Sequence, residues 1–296
     1  MERAYIRFFG WIGIASIFAW LAAPNFLILL NQAVNDAFGT VLPAIPFSAL
    51  LALLFLLRWG DLREVLSREA GLMSEAPTRL LGLGIVASLL LLRGVAGGSV
   101  EASGVAVILT FYGMSLALNP LTRRVMLPYA TIYSVGVTAP AILQWGVGEP
   151  LAQLSSVFSA GIVSLSGIPI VWHGTEFAIL SRAGDMVTGT ITPGCSSIVS
   201  VTTFLGLLGL MHLDLRKDIS STVKVAAAGI AALTVLNAVR VAVLIWVGYA
   251  GGADALWSVH NWVGYALFLG FYAATLLVYP RMGGRAAYRT PSLRLS

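Results

Sequence analysis

Cys195 is the single cysteine of the chain, and its neighbours are the kind that make a thiol reactive. It follows Thr192-Pro193-Gly194 and leads into an apolar run, so the sequence predicts that it opens a helix. A cysteine at a helix N-terminus meets unpaired N–H groups and the positive end of the helix dipole, both of which favour thiolate. A lone cysteine in an apolar helix is more often small filler, so a catalytic reading needs partners. Arg240 is one, within Asn237-Ala238-Val239-Arg240 in the middle of another apolar stretch. A charge there costs roughly 2.5–3.5 kcal/mol on insertion and normally faces a bundle interior or a wet cavity. It could pair with a thiolate or stabilise an oxyanion; the bland alternative is a structural partner for a carboxylate or for backbone carbonyls. Asn237, three residues earlier, shares its helix face and could orient it. His260, in His260-Asn261-Trp262, is the natural general acid/base for a cysteine nucleophile, although a histidine at a span start is often just interfacial. Ser196 and Ser197 could donate hydrogen bonds to the thiol or simply cap and pack. His173 and His212 are weaker candidates, and Arg93 reads as a residue snorkelling from a span end.

These residues are far apart in sequence, so the elements around them must bring them together. The chain of 296 residues is 58% hydrophobic and only 10% charged, where a soluble chain carries roughly 25% charged residues. Its apolar residues come in blocks long enough for helices crossing a hydrocarbon core about 30 Å thick. The reading is an all-α membrane protein, a polytopic bundle of about eight transmembrane helices forming a single multispan domain over the whole chain. The expected spans are 9–31, 41–58, 79–97, 102–119, 126–146, 195–212, 223–249 and 260–280. The first is too long for a signal-peptide core and is taken as an uncleaved span.

Basic residues give this layout a direction. With the N-terminus inside, fifteen of the eighteen Lys and Arg residues fall in cytoplasmic segments, from Arg3 and Arg7 through Arg58, Arg63, Arg68, Arg79, Arg123, Arg124, Arg216, Lys217 and Lys224 to the C-terminal arginines. Such asymmetry places both termini in the cytoplasm. Cys195, Arg240 and His260 then fall toward the outer face of a cell membrane, Arg240 roughly 13 Å from the outer end of its helix. The net charge of +5 comes from these flanking residues and does not call for nucleic acid. Trp172, Trp257 and Trp262 suit an interfacial aromatic belt.

The segment 147–194 is the long extracytoplasmic connection ahead of the catalytic spans 195–280. Leu151 to Val163 could form an amphipathic interfacial helix. The stretches 168–172 and 175–180 flank His173-Gly174 and suggest a small β-hairpin, with Met186 to Thr192 as a further extended piece. Long loops with structure of their own are often functional. Neither a phosphate-binding glycine loop nor a metal-spaced His/Cys cluster is present in the sequence.

The order of Cys195-Ser196 at one span start, Asn237-x-x-Arg240 in the next and His260 at the following one resembles the exosortase/archaeosortase family, most specifically over residues 165–265. The resemblance implies a membrane-embedded thiol protease or transpeptidase. Such an enzyme cleaves a C-terminal sorting signal (short motif, transmembrane helix, basic tail) from exported proteins through a thioester, and passes the product to an amine or lipid-linked acceptor. It casts Cys195 as nucleophile, His260 as proton carrier and Arg240 as thiolate or oxyanion stabiliser, and implies a mechanism that needs no metal or organic cofactor. Family members commonly carry Cys-Ser-Gly where this chain has Cys195-Ser196-Ser197, and often an acidic residue where Pro193 and Gly194 stand. The residues alone leave open a transporter with Arg240 as an anion site, or a component of surface-polymer export; the resemblance favours the enzyme.

Overall fold

The structure is a computed structural model that describes residues 2–26, 28, 75–93, 100–118, 120–215 and 217–282. The expected span 41–58 lies outside these residues, as do Arg58, Arg63, Arg68, Arg216, Arg285, Arg289 and Arg294. The described residues are mostly helical with one small antiparallel sheet. Two stretches, Ile219–His260 and Trp262–Arg281, are long and apolar enough to cross a membrane, and shorter apolar helices occur at Gly13–Ala22, Ala76–Leu91, Ala102–Ala117 and Ile198–Leu213. The chain divides into two compact units, Met1–Ile142 and Leu143–Ser296.

In the first unit, α1 (Glu2–Ala22), α2 (Ala76–Leu91), α3 (Val100–Leu118) and the start of α4 (Pro120–Ser164) are described. Helices α2 and α3 touch backbone to backbone, because a Cβ on Gly82 would run into the Gly113 carbonyl. Small residues at such a crossing are how helices associate in lipid, where apolar surface alone gives no driving force. Ala15, Val86 and Met114 form the buried core, with Phe18, Leu90 and Phe111 packed around it. Hydroxyls inside these helices bond back to their own turn, as Thr110 does to the Ala106 carbonyl at 2.7 Å. Large apolar side chains point outward, Leu80 at 69% and Leu91 at 86% exposure, as lipid-facing helices require.

The second unit begins in the later turns of α4. Leu151 to Val163 is helical as expected, but it continues α4 rather than following a loop from residue 147. The helix ends where Ser166 N–H reaches the Val163 carbonyl and Gly167 takes a φ of 71°, a left-handed stop that glycine adopts without strain. The sheet follows: β1 (Ile170–His173), β2 (Glu176–Leu180) and β3 (Met186–Thr190), in the order β1-β2-β3 and antiparallel throughout. The expected hairpin is thus β1–β2, and the further extended piece joins it as a third strand. Ile170, Trp172, Phe177, Ile179, Val187 and Gly189 share its inner face, and Phe177, Ile179 and Val187 are buried. The Trp172 indole donates to the Gly174 carbonyl at 3.0 Å and to Ser156 Oγ on α4, tying the β1–β2 turn to that helix.

A 3-10 turn, Pro193–Cys195, leads to α5 (Ile198–Leu215). The last long helix, α6 (Ile219–Val278), is capped by Asp218, whose carboxylate accepts the Ser221 N–H at 3.1 Å. It is two arms joined at one residue. Gly252 has φ 79° and ψ −173°, a region that only glycine enters readily. The Tyr249 carbonyl, in the last turn before that break, accepts the Arg182 N–H of the β2–β3 turn at 2.8 Å. The arms double back on each other: Gly248 lies against Leu256, Arg240 against Gly264, and Thr222 Oγ1 against Tyr279 Oη at 2.8 Å. Helix α5 packs on the pair through Phe204 and Phe271, 5.4 Å between ring centroids, and through the Tyr272 hydroxyl on the Ser200 carbonyl at 2.9 Å. The expected separate spans 223–249 and 260–280 are therefore these two arms, divided by a one-residue break rather than by a loop of about ten residues.

Candidate active site

Cys195 does not open a helix. It closes the 3-10 turn, its N–H donating to the Thr192 carbonyl at 2.8 Å. Ser196 is extended, and the first bond of α5 runs from Val201 N–H to the Ser197 carbonyl at 2.8 Å. Pro193 is the reason: with its φ fixed it starts the tight turn, and its carbonyl is taken by the Ser196 N–H and hydroxyl. The thiol therefore does not sit on the N-terminal N–H groups of α5, which begins three residues beyond it. Ser196 and Ser197 are buried and serve the backbone, Ser197 by its carbonyl; neither donates to the thiol. The hydroxyl that does reach Cys195 Sγ is that of Thr192, at 3.5 Å.

Asn237 is fully buried on the first arm of α6, yet it does not orient Arg240. Its amide nitrogen donates to the Cys195 carbonyl at 2.9 Å and to Ser155 Oγ of α4 at 3.3 Å. Nearby, Ser159 donates to the Ala238 carbonyl at 3.4 Å. Two helices thus hold the turn that carries the thiol. Cys195 itself is half-buried against the cluster of Ile191, Val241, Leu244 and Ile245.

Arg240 and His260 meet across the α6 arms, Nη2 to Nε2 at 3.2 Å. A guanidinium has no lone pair to offer, so in this contact His260 Nε2 accepts, the ring is neutral, and its proton sits on Nδ1. The Trp257 ring lies 5.1 Å from the imidazole, centroid to centroid. Gly264 makes the meeting possible, because a Cβ there would stand 3.1 Å from Arg240 Nε. His260 is not at a helix start; it lies eight residues past Gly252, about 12 Å along the second arm. The Cys195 thiol is within electrostatic reach of the guanidinium, as is His260. No hydrogen bond joins Cys195 to either residue among the described residues. Arg240 Nε and His260 Nδ1 are buried and make no hydrogen bond, as is the Tyr265 hydroxyl one residue past Gly264.

Of the six residues singled out in the sequence, the structure brings Arg240 and His260 into contact and ties Asn237 to Cys195, while Ser196 and Ser197 support the turn. Of the weaker candidates, His173 ends β1 at its turn, His212 Nδ1 pairs with Thr222 Oγ1 at 3.0 Å, and Arg93 is exposed in the first unit. Sequence reasoning missed Ser155, Thr192 and Gly264. Ser155 and Ser159 carried a signal, two serines one helical turn apart in a mostly apolar helix. Gly264 carried none, since its role depends on what lies opposite.

The site combines a half-buried thiol, held by its backbone to α6, with a neutral imidazole on a buried cation of the same helix. Among the described residues no group of His, Cys, Asp and Glu is arranged to hold a metal ion. A family model described as transmembrane exosortase matches residues 43–278 of the chain. No curated protein and no solved structure matches it.

Proposed function

The chain belongs to the transmembrane exosortase family, and from that premise we propose that it is a membrane thiol protease or transpeptidase with Cys195 as nucleophile. The substrates are exported proteins whose C-terminal signal joins a short motif, a transmembrane helix and a basic tail. The observation that carries the reading is the Arg240–His260 contact at 3.2 Å on α6, the helix whose Asn237 donates to the Cys195 carbonyl at 2.9 Å.

The proposed sequence begins with Arg240 Nη2 leaving His260 Nε2 for the sulfur; the freed Nε2 takes the thiol proton, and Arg240 then faces a thiolate in a medium of low dielectric, where its charge acts strongly. The thiolate sulfur attacks the scissile carbonyl carbon, and the electron pair moves to oxygen. Arg240, with a buried Nε–H that makes no other bond, stabilises that oxyanion. Collapse breaks the C–N bond, and imidazolium returns the proton to the leaving amine, which departs on the substrate's transmembrane helix. The thioester left on Cys195 is resolved by an acceptor amine, a lipid-linked group or water. Asn237 and Ser155 keep the Cys195 turn in place throughout.

In this reading the protein spans the cell membrane several times with both termini in the cytoplasm and the site on the outer side, supported by the distribution of Lys and Arg. The test is processing of a co-expressed substrate of this design, followed by its loss of mass. Wild type is expected to process it and Cys195→Ala to leave it full length; unimpaired processing by Cys195→Ala would sink the proposal.

A further inference from the structure

Beside the candidate site, the sheet presents an edge that no strand among the described residues covers. In the order β1-β2-β3, the outer side of β3 is unpaired. The direction of each β3 backbone group follows from two bonds that bracket the β2–β3 ladder. Ile191 N–H donates to the Thr175 carbonyl at 2.9 Å, and Ser181 N–H to the Asp185 carbonyl at 2.8 Å. Between them the register pairs Phe177 with Gly189 and Ile179 with Val187. Antiparallel ladders alternate, so Val187 and Gly189 bond β2, while Met186, Thr188 and Thr190 turn their N–H and C=O groups to the open edge. All three are exposed.

This edge runs directly into the nucleophile. Only Ile191, Thr192, Pro193 and Gly194 separate Thr190 from Cys195, a span of at most about 18 Å even if fully extended. The devices that usually blunt an edge strand, a lysine, a proline or a bulge, are absent from Met186-Val187-Thr188-Gly189-Thr190. Strand β1, the other edge, starts after Pro169 and lies two strands away from the segment that reaches Cys195. Helix α6 packs on the inner face of the sheet, where Val187 lies against Gly248, and no strand among the described residues covers the outer edge.

We infer that the open edge of β3 seats the extended segment of the substrate next to the cleaved bond, by main-chain pairing with Thr188 and Thr190. The inference rests on the thiol transpeptidase reading above. Strand addition draws its affinity from backbone groups and leaves side chains to pockets, so one edge can serve many exported proteins that share only a short motif. It also aligns the substrate backbone with a strand that leads to the thiol, which fixes which carbonyl arrives there. The paired residues should lie within about five residues of the cleaved bond, the length of chain between Thr190 and Cys195.

The experiment compares processing of the co-expressed substrate by Thr188→Pro and Thr188→Val, with membrane levels of each protein measured alongside. Proline removes the N–H that faces the open edge and leaves the β2 ladder bonds intact; valine keeps the N–H. Processing is expected to fall up to about tenfold in Thr188→Pro, the loss of one backbone bond, and to stay near wild type in Thr188→Val. Because proline can also disturb the sheet, the second measurement uses the unmodified full-length protein in detergent. Its probe is a synthetic peptide spanning the bond found cleaved in the co-expressed substrate, with a single N-methyl group moved one residue at a time. Loss of cleavage at every second position supports strand pairing. Wild-type processing by Thr188→Pro, equal loss in Thr188→Val, or an N-methyl profile without alternation overturns it. Processing that is equal in wild type and Cys195→Ala instead takes down the functional reading itself.

Discussion

At the scale of residues, the site depends on a few polar contacts in an apolar surround. Asn237 is fully buried and spends its amide N–H groups on the Cys195 carbonyl and Ser155 Oγ. Asn237→Ala leaves that carbonyl and hydroxyl without their donor, which costs about 1–3 kcal/mol. The expected result is a lower thermal midpoint in detergent together with an altered rate of Cys195 alkylation, read by mass. An unchanged rate would mean that the turn holds itself. Arg240→Lys keeps the charge but loses the planar fork that reaches His260 Nε2, and processing is expected to drop at least tenfold; wild-type processing by that variant would leave the guanidinium with no special role. These contacts were only partly legible beforehand. Asn237, Arg240 and His260 stood out as candidates because they are polar groups in or beside apolar runs. What each one touches did not, because helical spacing places Asn237 near Arg240 but cannot see the Cys195 turn arriving from another element.

At the scale of elements, single glycines decide how the arms of α6 meet. Gly252 occupies backbone space that side chains rarely enter, so Gly252→Ala costs about 1–3 kcal/mol and should shift the register in which Arg240 faces His260. Gly264→Val is expected to push the second arm off the guanidinium, since even a Cβ comes within 3.1 Å of Arg240 Nε. Both variants should lose processing while still inserting, which membrane fractionation and the substrate mass assay together resolve. The strands and their turn were readable from β-branched and aromatic residues around His173-Gly174. The 3-10 turn before α5 and the one-residue break in α6 were not. A Pro-Gly or Gly-Gly pair announces a break, while its length is set by the packing on either side, here the sheet turn docked through Arg182 on Tyr249.

At the scale of the whole molecule, the chain is a membrane protein of the transmembrane exosortase family, and its proposed orientation makes a separate prediction. A reporter fused after Ser296 should report the cytoplasm, and one inserted at Gly184 in the β2–β3 turn should report the outer side; the reverse pattern would put the thiol on the wrong face for exported substrates. Composition alone made the membrane setting legible, because so few charges cannot cover a water-facing surface. The central claim is that Cys195 becomes acylated by its substrate. The most direct measurement is the intact mass of the protein after rapid acid quenching during processing. The account predicts an adduct on Cys195 equal in mass to the substrate lacking its C-terminal helix and tail, released by neutral hydroxylamine and missing in Cys195→Ser. Substrate cleavage with no such adduct, continuing at the wild-type rate in Cys195→Ser, would contradict it.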